Sequence, residues 1–381
     1  MRYRLLSSGS AASLLAGFFL SLFPFALLSQ DPVLKTRPKE DRDARFNALH
    51  RITMNVQVND ADGNPVSDLH PQDFILYDNQ QARRIVAFHA IDGQAQSDAT
   101  QIVILLDAVN TPAPELEEAR NAIFKYLAES HKPMAFPTAF ALWFNGHLSA
   151  TPTTTDRNAL GRAFVKLTKS IHSNACEVGQ DSGSQTTSTG RSGGHVDAAT
   201  CRAVHVKDSM AALDGIAQQQ LTTGARTLLI WMGAGWPVLP DAEAQRLSLQ
   251  LHSGANEFST VLHDLRAAQV TVYKVGSDSG QSQHEIVDTG AAMSLSKQPE
   301  VSPGRIAVDD FARRTGGRVI TRSTDLTGDL RTCIRDADWY YTISFNAPPA
   351  TTRGGDLHTL AIKVERPGVE VRTMNSYYTE P

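Results

Sequence analysis

Apolar and polar positions along the chain follow two rhythms, separated by stretches with neither. Ile52-Thr53-Met54-Asn55-Val56-Gln57-Val58 alternates, which predicts a strand with one buried face. The turn-rich run Asp60-Ala61-Asp62-Gly63-Asn64-Pro65 follows; its Asp60/Asp62 pair lacks the remaining spacing of a calcium loop and reads as a plain turn. Phe74-Ile75-Leu76-Tyr77 predicts a second strand that turns at Asp78-Asn79, and Ile85-Val86-Ala87-Phe88 predicts its return. At Gln101 the character changes. Ile102-Val103-Ile104-Leu105-Leu106 is an unbroken apolar run, as expected of a strand covered on both faces of a parallel sheet, and it ends at Asp107. Beyond it, apolar residues three and four apart predict helices over 115–129, 156–169 (with Asp156 as N-cap), 204–219, 257–268, 306–314 and 325–335. Strands are predicted over 138–144, 147–151, 227–231, 270–275 and 318–321.

This alternation predicts an α/β domain over 100–335, a parallel sheet with helices on both faces. Polar stretches rich in Gly, Ser, Thr and Asp, at about 171–200 and 277–303, read as insertions. The chain returns to β at 339–345, 357–364 and 369–377. These C-terminal segments, in 337–381, and the N-terminal ones, in 51–95, are expected to pair into a small β-sandwich-like unit.

The N-terminus carries another pattern. Met1-Arg2-Tyr3-Arg4 is basic, and residues 11–28 are apolar apart from Ser13 and Ser21, with Pro24 near the end and Ser29 before Gln30. A signal peptide over 1–29 and a polar linker over 30–50 follow from this. An uncleaved membrane anchor is the alternative, because the apolar stretch approaches the minimum span. On either reading the remainder is exported, whether secreted or held in the periplasm or cell envelope. Export gives meaning to the three cysteines. Cys176 and Cys201 flank the first insertion, and a bridge between them would close it, contributing roughly 3 kcal/mol through the unfolded state. Three unpaired thiols are the alternative; Cys333 is expected on a helix as a buried free thiol.

Composition narrows the function. At 41% hydrophobic and 20% charged, with a net charge of −4, the chain is an ordinary globular protein. Lys and Arg are scattered without a basic stripe, which argues against a nucleic-acid partner. There is no P-loop, no Gly-x-Gly-x-x-Gly and no His-Glu-x-x-His. Gly190-Arg191-Ser192-Gly193-Gly194 has the letters of a nucleophile elbow but lies in an insertion, away from any strand-to-helix turn. The 12 histidines, His131, His147, His205 and His263 among them, show no ligand spacing. No required cofactor emerges.

In an open α/β sheet, ligands collect beyond the carboxyl ends of the strands. Those ends lie here at 107–111, 144–146, 233–236 and 276–278. A carboxylate ending a buried strand is costly unless an ion, a donor or solvent meets it, so Asp107 is the leading candidate. The order of elements, and the run from Val103 through Asp107-Ala108-Val109-Asn110-Thr111, resemble a von Willebrand factor A domain, and more specifically the VWFA-related family. Asp62-Gly63-Asn64-Pro65-Val66, Asp73 to Asp78, Leu229 to Pro237, and Arg366-Pro367-Gly368-Val369 to Tyr377-Tyr378 agree with that family, so the resemblance spans about 50–378. It implies a Rossmann-like sheet of that type. It also implies a metal-ion-dependent adhesion site, Asp-x-Ser-x-Ser, holding Mg2+ or another divalent cation whose shell a partner's carboxylate completes.

On this chain the pattern falls on Asp107, Val109 and Thr111. Val109 cannot ligate, Asn110 is offset by one, and the further Asp expected after 227–231 is replaced by Met232-Gly233-Ala234-Gly235. The remaining Thr ligand is untraceable through 171–200. The site therefore reads as degenerate, with Asp107 and Thr111 as metal candidates. The alternative is an Asp107 that hydrogen-bonds its own loop and caps the helix behind Pro112. The function expected is a non-enzymatic recognition or adhesion module, binding a protein partner through a rim of Asn110, Asn145, Gly235, Trp236 and Asp278. Trp143 and Phe144 are further aromatic candidates. A hydrolase using Asp107, which would need a second titratable group beside it, is one alternative; an envelope scaffold without ligand is another. Membrane contact is expected only through an uncleaved leader.

Overall fold

A computed structural model describes residues 50–95, 100–176, 198–236, 255–277, 307–321, 323–352 and 355–379. The predicted leader, most of the linker and of both insertions, residues 190–194 and Asp278 lie outside them.

Alternation makes β1 (Arg51–Asn59) a strand that buries Ile52, Met54, Val56 and Val58. Asp60 accepts from the Asp62 and Asn64 amides, the plain turn expected. β2 (Phe74–Asp78) turns back through Asn79 and Gln80, both at positive φ, into the short β3 (Gln81–Arg83). The predicted return at 85–88 is corrected: β3 completes the hairpin, and β4 (Ala87–Asp92) departs for another sheet.

The apolar run ending at Asp107 forms β5 (Thr100–Asp107). Then come α1 (Ala113–Ala128), β6 (Thr138–Phe144), β7 (His147–Ala150) and α2 (Arg157–Leu167), which Asp156 caps by accepting from the Asn158 and Ala159 amides. α3 (Ala198–Gln220), β8 (Arg226–Met232), α4 (Ala255–Ala267) and β9 (Val270–Gly276) follow. α5 (Val308–Thr315), β10 (Val319–Thr321) and α6 (Leu326–Arg335) complete the alternation. Among the described residues these strands form one six-stranded sheet in the order β10-β9-β8-β5-β6-β7, parallel except for β7. Its central strands β5, β6, β8 and β9 are largely apolar because both faces are covered. Ile104, Leu106 and Ile230 pack under α1, α2 and α6 through Ile123, Phe164 and Leu330. Leu105, Leu229 and Trp231 pack under α3, α4 and α5 through Leu213, Phe258 and Phe311. Cys333 is a buried free thiol on α6.

The C-terminal strands are β11 (Trp339–Asn346), β12 (Leu357–Val364), β13 (Glu370–Thr373) and β14 (Ser376–Tyr378). They join the N-terminal strands in two antiparallel sheets, β13-β1-β11-β4 and β14-β12-β2-β3, around a core that includes Val56, Leu76, Tyr341 and Phe345. The single strand predicted over 369–377 divides. The chain changes sheets at Met374-Asn375, with Met374 buried in the core at the crossing.

The described residues belong to one compact unit. A buried polar node lies where its α/β and antiparallel parts meet. The Asp336 carboxylate accepts from Arg318 at 3.3 and 3.4 Å and from Arg372 at 2.8 Å. The Asp336 carbonyl accepts from Gln57 Nε2 at 2.6 Å and Arg226 Nη1 at 3.1 Å. The Arg226 guanidinium also lies 4.0 Å from the Tyr340 ring centroid.

Candidate functional site

Strand order locates the switch point of the sheet. β6 and β7 lie to one side of β5, and β8, β9 and β10 to the other, so the topology reverses beside β5. In open parallel sheets this switch point is where ligands approach the carboxyl ends. Asp107 ends β5 there and is fully buried.

The Asp107 side chain is occupied from within. Oδ1 accepts from the Val109 and Asn110 amides, each at 3.0 Å. Oδ2 accepts from Asn110 Nδ2 and from Trp231 Nε1, each at 2.9 Å. A carboxylate offers about four lone-pair sites, so four donors exhaust its capacity. Burial pushes the Asp107 carboxyl above the ordinary aspartate range; bonds from Asn110, Trp231 and Val109 pull it back without cancelling that push. The second hydrogen of Asn110 Nδ2 goes to Ser209 Oγ on α3, at 2.9 Å. Trp143 Nε1 donates to that same oxygen at 3.1 Å. Two strand tryptophans, Trp143 and Trp231, are thereby bonded inward.

Thr111 is equally committed. Its Oγ1 accepts from the Ala234 amide at 3.1 Å. Gly233, at φ +152°, lies so close that a Cβ there would collide with Thr111 Oγ1. This contact explains why glycine stands in the β8 loop.

These residues do not fit the divalent cation that the sequence resemblance implies. A hard dication takes about six oxygens, several of them anionic or water. Here the one carboxylate is saturated, Thr111 Oγ1 receives a backbone amide, and Val109 presents a buried apolar side chain. Asn110 Oδ1 has no hydrogen-bond partner, but one neutral carbonyl makes no cation site. The expectation that Asp107 caps the helix behind Pro112 also needs correction. Asp107 caps its own turn, while the N-cap of α1 is Pro112, with no side-chain bond. Among the described residues, no hydrogen-bond partner of Asp107 titrates near neutrality, so no acid–base pair forms around it.

A short strap crosses this loop. The Asn174 amide donates to the Ala108 carbonyl at 2.8 Å, and Ser173 Oγ to the Thr111 carbonyl at 2.6 Å. His172 meets Phe144 edge-on, with ring centroids 4.8 Å apart. The strap runs into Cys176, which is disulfide-bonded to Cys201 on α3, as the sequence leads one to expect.

The predicted rim is largely drawn inside. Asn110, Gly235 and Trp236 are buried, and Trp236 packs edge-on against Trp231 and Phe311 at 5.6 and 5.5 Å. A large ring beside a strand end gains more by burial in this aromatic cluster than by facing water. Trp143 is buried as well, and Phe144 half-buried. Asn145 is exposed, at the tip of the β6–β7 hairpin. Asn145 and Gly146 both have positive φ, as a tight two-residue hairpin turn requires, so Asn145 has a structural reason to be there. Ser209 and Trp231 are the site residues the sequence reading missed. An indole in an otherwise apolar strand needs an acceptor, and that signal pointed to Trp231.

Fold and site together define a mixed α/β protein, with a six-stranded, mostly parallel sheet and accompanying antiparallel sheets. Comparison with known proteins found no matching family model and no significantly similar curated protein.

Proposed function

We propose that the chain is an exported recognition module of the von Willebrand factor A type that works without a cation at Asp107. The observation that carries this reading is the saturated Asp107 carboxylate at the switch point. A catalytic carboxylate needs a free lone pair or a titratable partner, and an adhesion-site carboxylate needs an open coordination position. Asp107 has neither, and acts as a rigid foundation for the loops above it. The surface left for a protein partner is the tip of the β6–β7 hairpin with the strap beside it: Phe144, Asn145, His147 and His172. Export is supported by the Cys176–Cys201 bridge, which is compatible with an oxidising compartment. Among the described residues no helix is long and apolar enough to cross a membrane.

Site-specific photo-crosslinking tests the reading. A photoreactive residue replaces Asn145 in one sample and Gln269, at the amino end of β9, in another; both positions are exposed. Each full-length protein is irradiated with extracytoplasmic proteins of its source cells. A discrete adduct from position 145, competed by unlabelled wild type and absent from position 269, is expected. Equal adducts from both positions, or none from 145, would refute recognition through this end and leave the scaffold reading.

A further inference from the structure

The strap over the Asp107 loop ends in a cluster whose chemistry the recognition reading does not use. Cys201 and His205 are four residues apart on α3, so they share one helix face. The strap brings Cys176 to that face. His205 Nε2 lies 4.0 Å from Cys176 Sγ and 3.9 Å from Cys201 Sγ. One ligand atom from each residue falls within 4.8 Å of the others, and all three residues are half-buried. They are thus within reach of a small reductant and a metal ion, yet partly shielded from water.

Two sulfurs and an imidazole nitrogen are a soft ligand set. Zn2+ binds such ligands tetrahedrally at about 2.0–2.3 Å, which places neighbouring ligand atoms roughly 3.5–3.8 Å apart. The imidazole is already near that separation from both sulfurs, and only the sulfur–sulfur bond must open.

We propose that Cys176, Cys201 and His205 form a switchable fastening for the strap, a disulfide when oxidised and a Zn2+ site when reduced. A dithiol reductant supplies the two electrons that break the sulfur–sulfur bond, and its two protons end on Cys176 and Cys201 as it becomes a disulfide. Zn2+ then displaces both thiol protons to solvent and takes two thiolates and the His205 nitrogen, leaving its fourth position for water. In either state Cys176 stays tied to α3, and the strap stays over Ala108 and Thr111.

The test uses the full-length chain, reduced with a phosphine under anaerobic conditions and titrated with Co2+ as a spectroscopic stand-in. One equivalent is expected to produce thiolate-to-cobalt charge-transfer and tetrahedral ligand-field bands. Zn2+ should displace them, and the oxidised protein should lack them. His205→Ala should weaken the affinity by more than about tenfold. Cys333→Ser should leave it unchanged, since Cys333 lies buried on α6. The proposal is overturned if the reduced wild type keeps its near-ultraviolet circular dichroism and shows no cobalt–thiolate band. It is equally overturned if His205→Ala binds like wild type, if Cys333→Ser abolishes the band, or if reduction unfolds the chain and Zn2+ does not restore it.

Discussion

Asp107 and Asp336 are both buried aspartates, and the fold accommodates them in opposite ways. Asp107 is met only by neutral donors: two backbone amides, one side-chain amide and one indole. Asp336 is met by two guanidinium groups, and its carbonyl receives a third arginine and Gln57. The first arrangement spreads one negative charge over dipoles that belong to a single strand end and its neighbours. The second concentrates opposite charges where β1, β8, β10 and β13 converge. A carboxylate held by dipoles can anchor a loop. One held by arginines also joins parts of the structure that contribute those arginines.

Breaking the arginine-held node should cost most. Asp336→Ala leaves Arg318 and Arg372 without their buried carboxylate, and denaturant unfolding should show a loss of about 3–5 kcal/mol. Replacing both Cys176 and Cys201 by Ser opens a loop with a sequence separation of 25. The expected loss is about 3 kcal/mol by the same measurement under oxidising conditions. Asp107→Ala strands four donors, but all of them are neutral; a loss of about 2–3 kcal/mol is expected. If Asp107→Ala proves the more damaging of the two aspartate substitutions, the contrast between dipole-held and arginine-held carboxylates is wrong.

A smaller effect at Asp107 depends on pH. The folded state raises the Asp107 carboxyl above its unfolded value of 3.8, so folding favours the protonated form. That contribution is fully present below the unfolded value and is lost as pH rises through the raised one. Unfolding free energies of wild type and Asp107→Asn, compared from acid to neutral pH, should show the wild-type advantage greatest in acid and declining upward. An advantage that grows with pH would contradict the dominance of burial at Asp107.

Much of the α/β alternation was legible because its signals are local. An unbroken run such as Ile102–Leu106 suits a strand buried on both faces, and Asp156 announces its helix through amides two and three residues away. What was illegible depends on partners distant in sequence. β4 is half-exposed, and only its pairing with β11 takes it out of the β2–β3 hairpin. The division of 369–377 likewise depends on which sheet each half joins. The Asp107 loop bonds could be anticipated from Asn110, but the Trp231 bond spans 124 positions. Trp236 looked like rim because a ring beside Gly235 gives no sign of which way it turns. The arginines of the Asp336 node look like any surface cations until the fold gathers them.

With its four acceptor positions filled, Asp107 is proposed to serve as a hydrogen-bonded foundation and not as a cation ligand. Chemical unfolding of the full-length protein, with and without millimolar Mg2+ or Mn2+ and in parallel with Asp107→Ala, tests it most directly. A cation bound to the folded state at a hundred times its dissociation constant stabilises by about 2.7 kcal/mol. No cation-dependent change in the wild type is the predicted result. A stabilisation of that size in the wild type, lost in Asp107→Ala, would contradict the account.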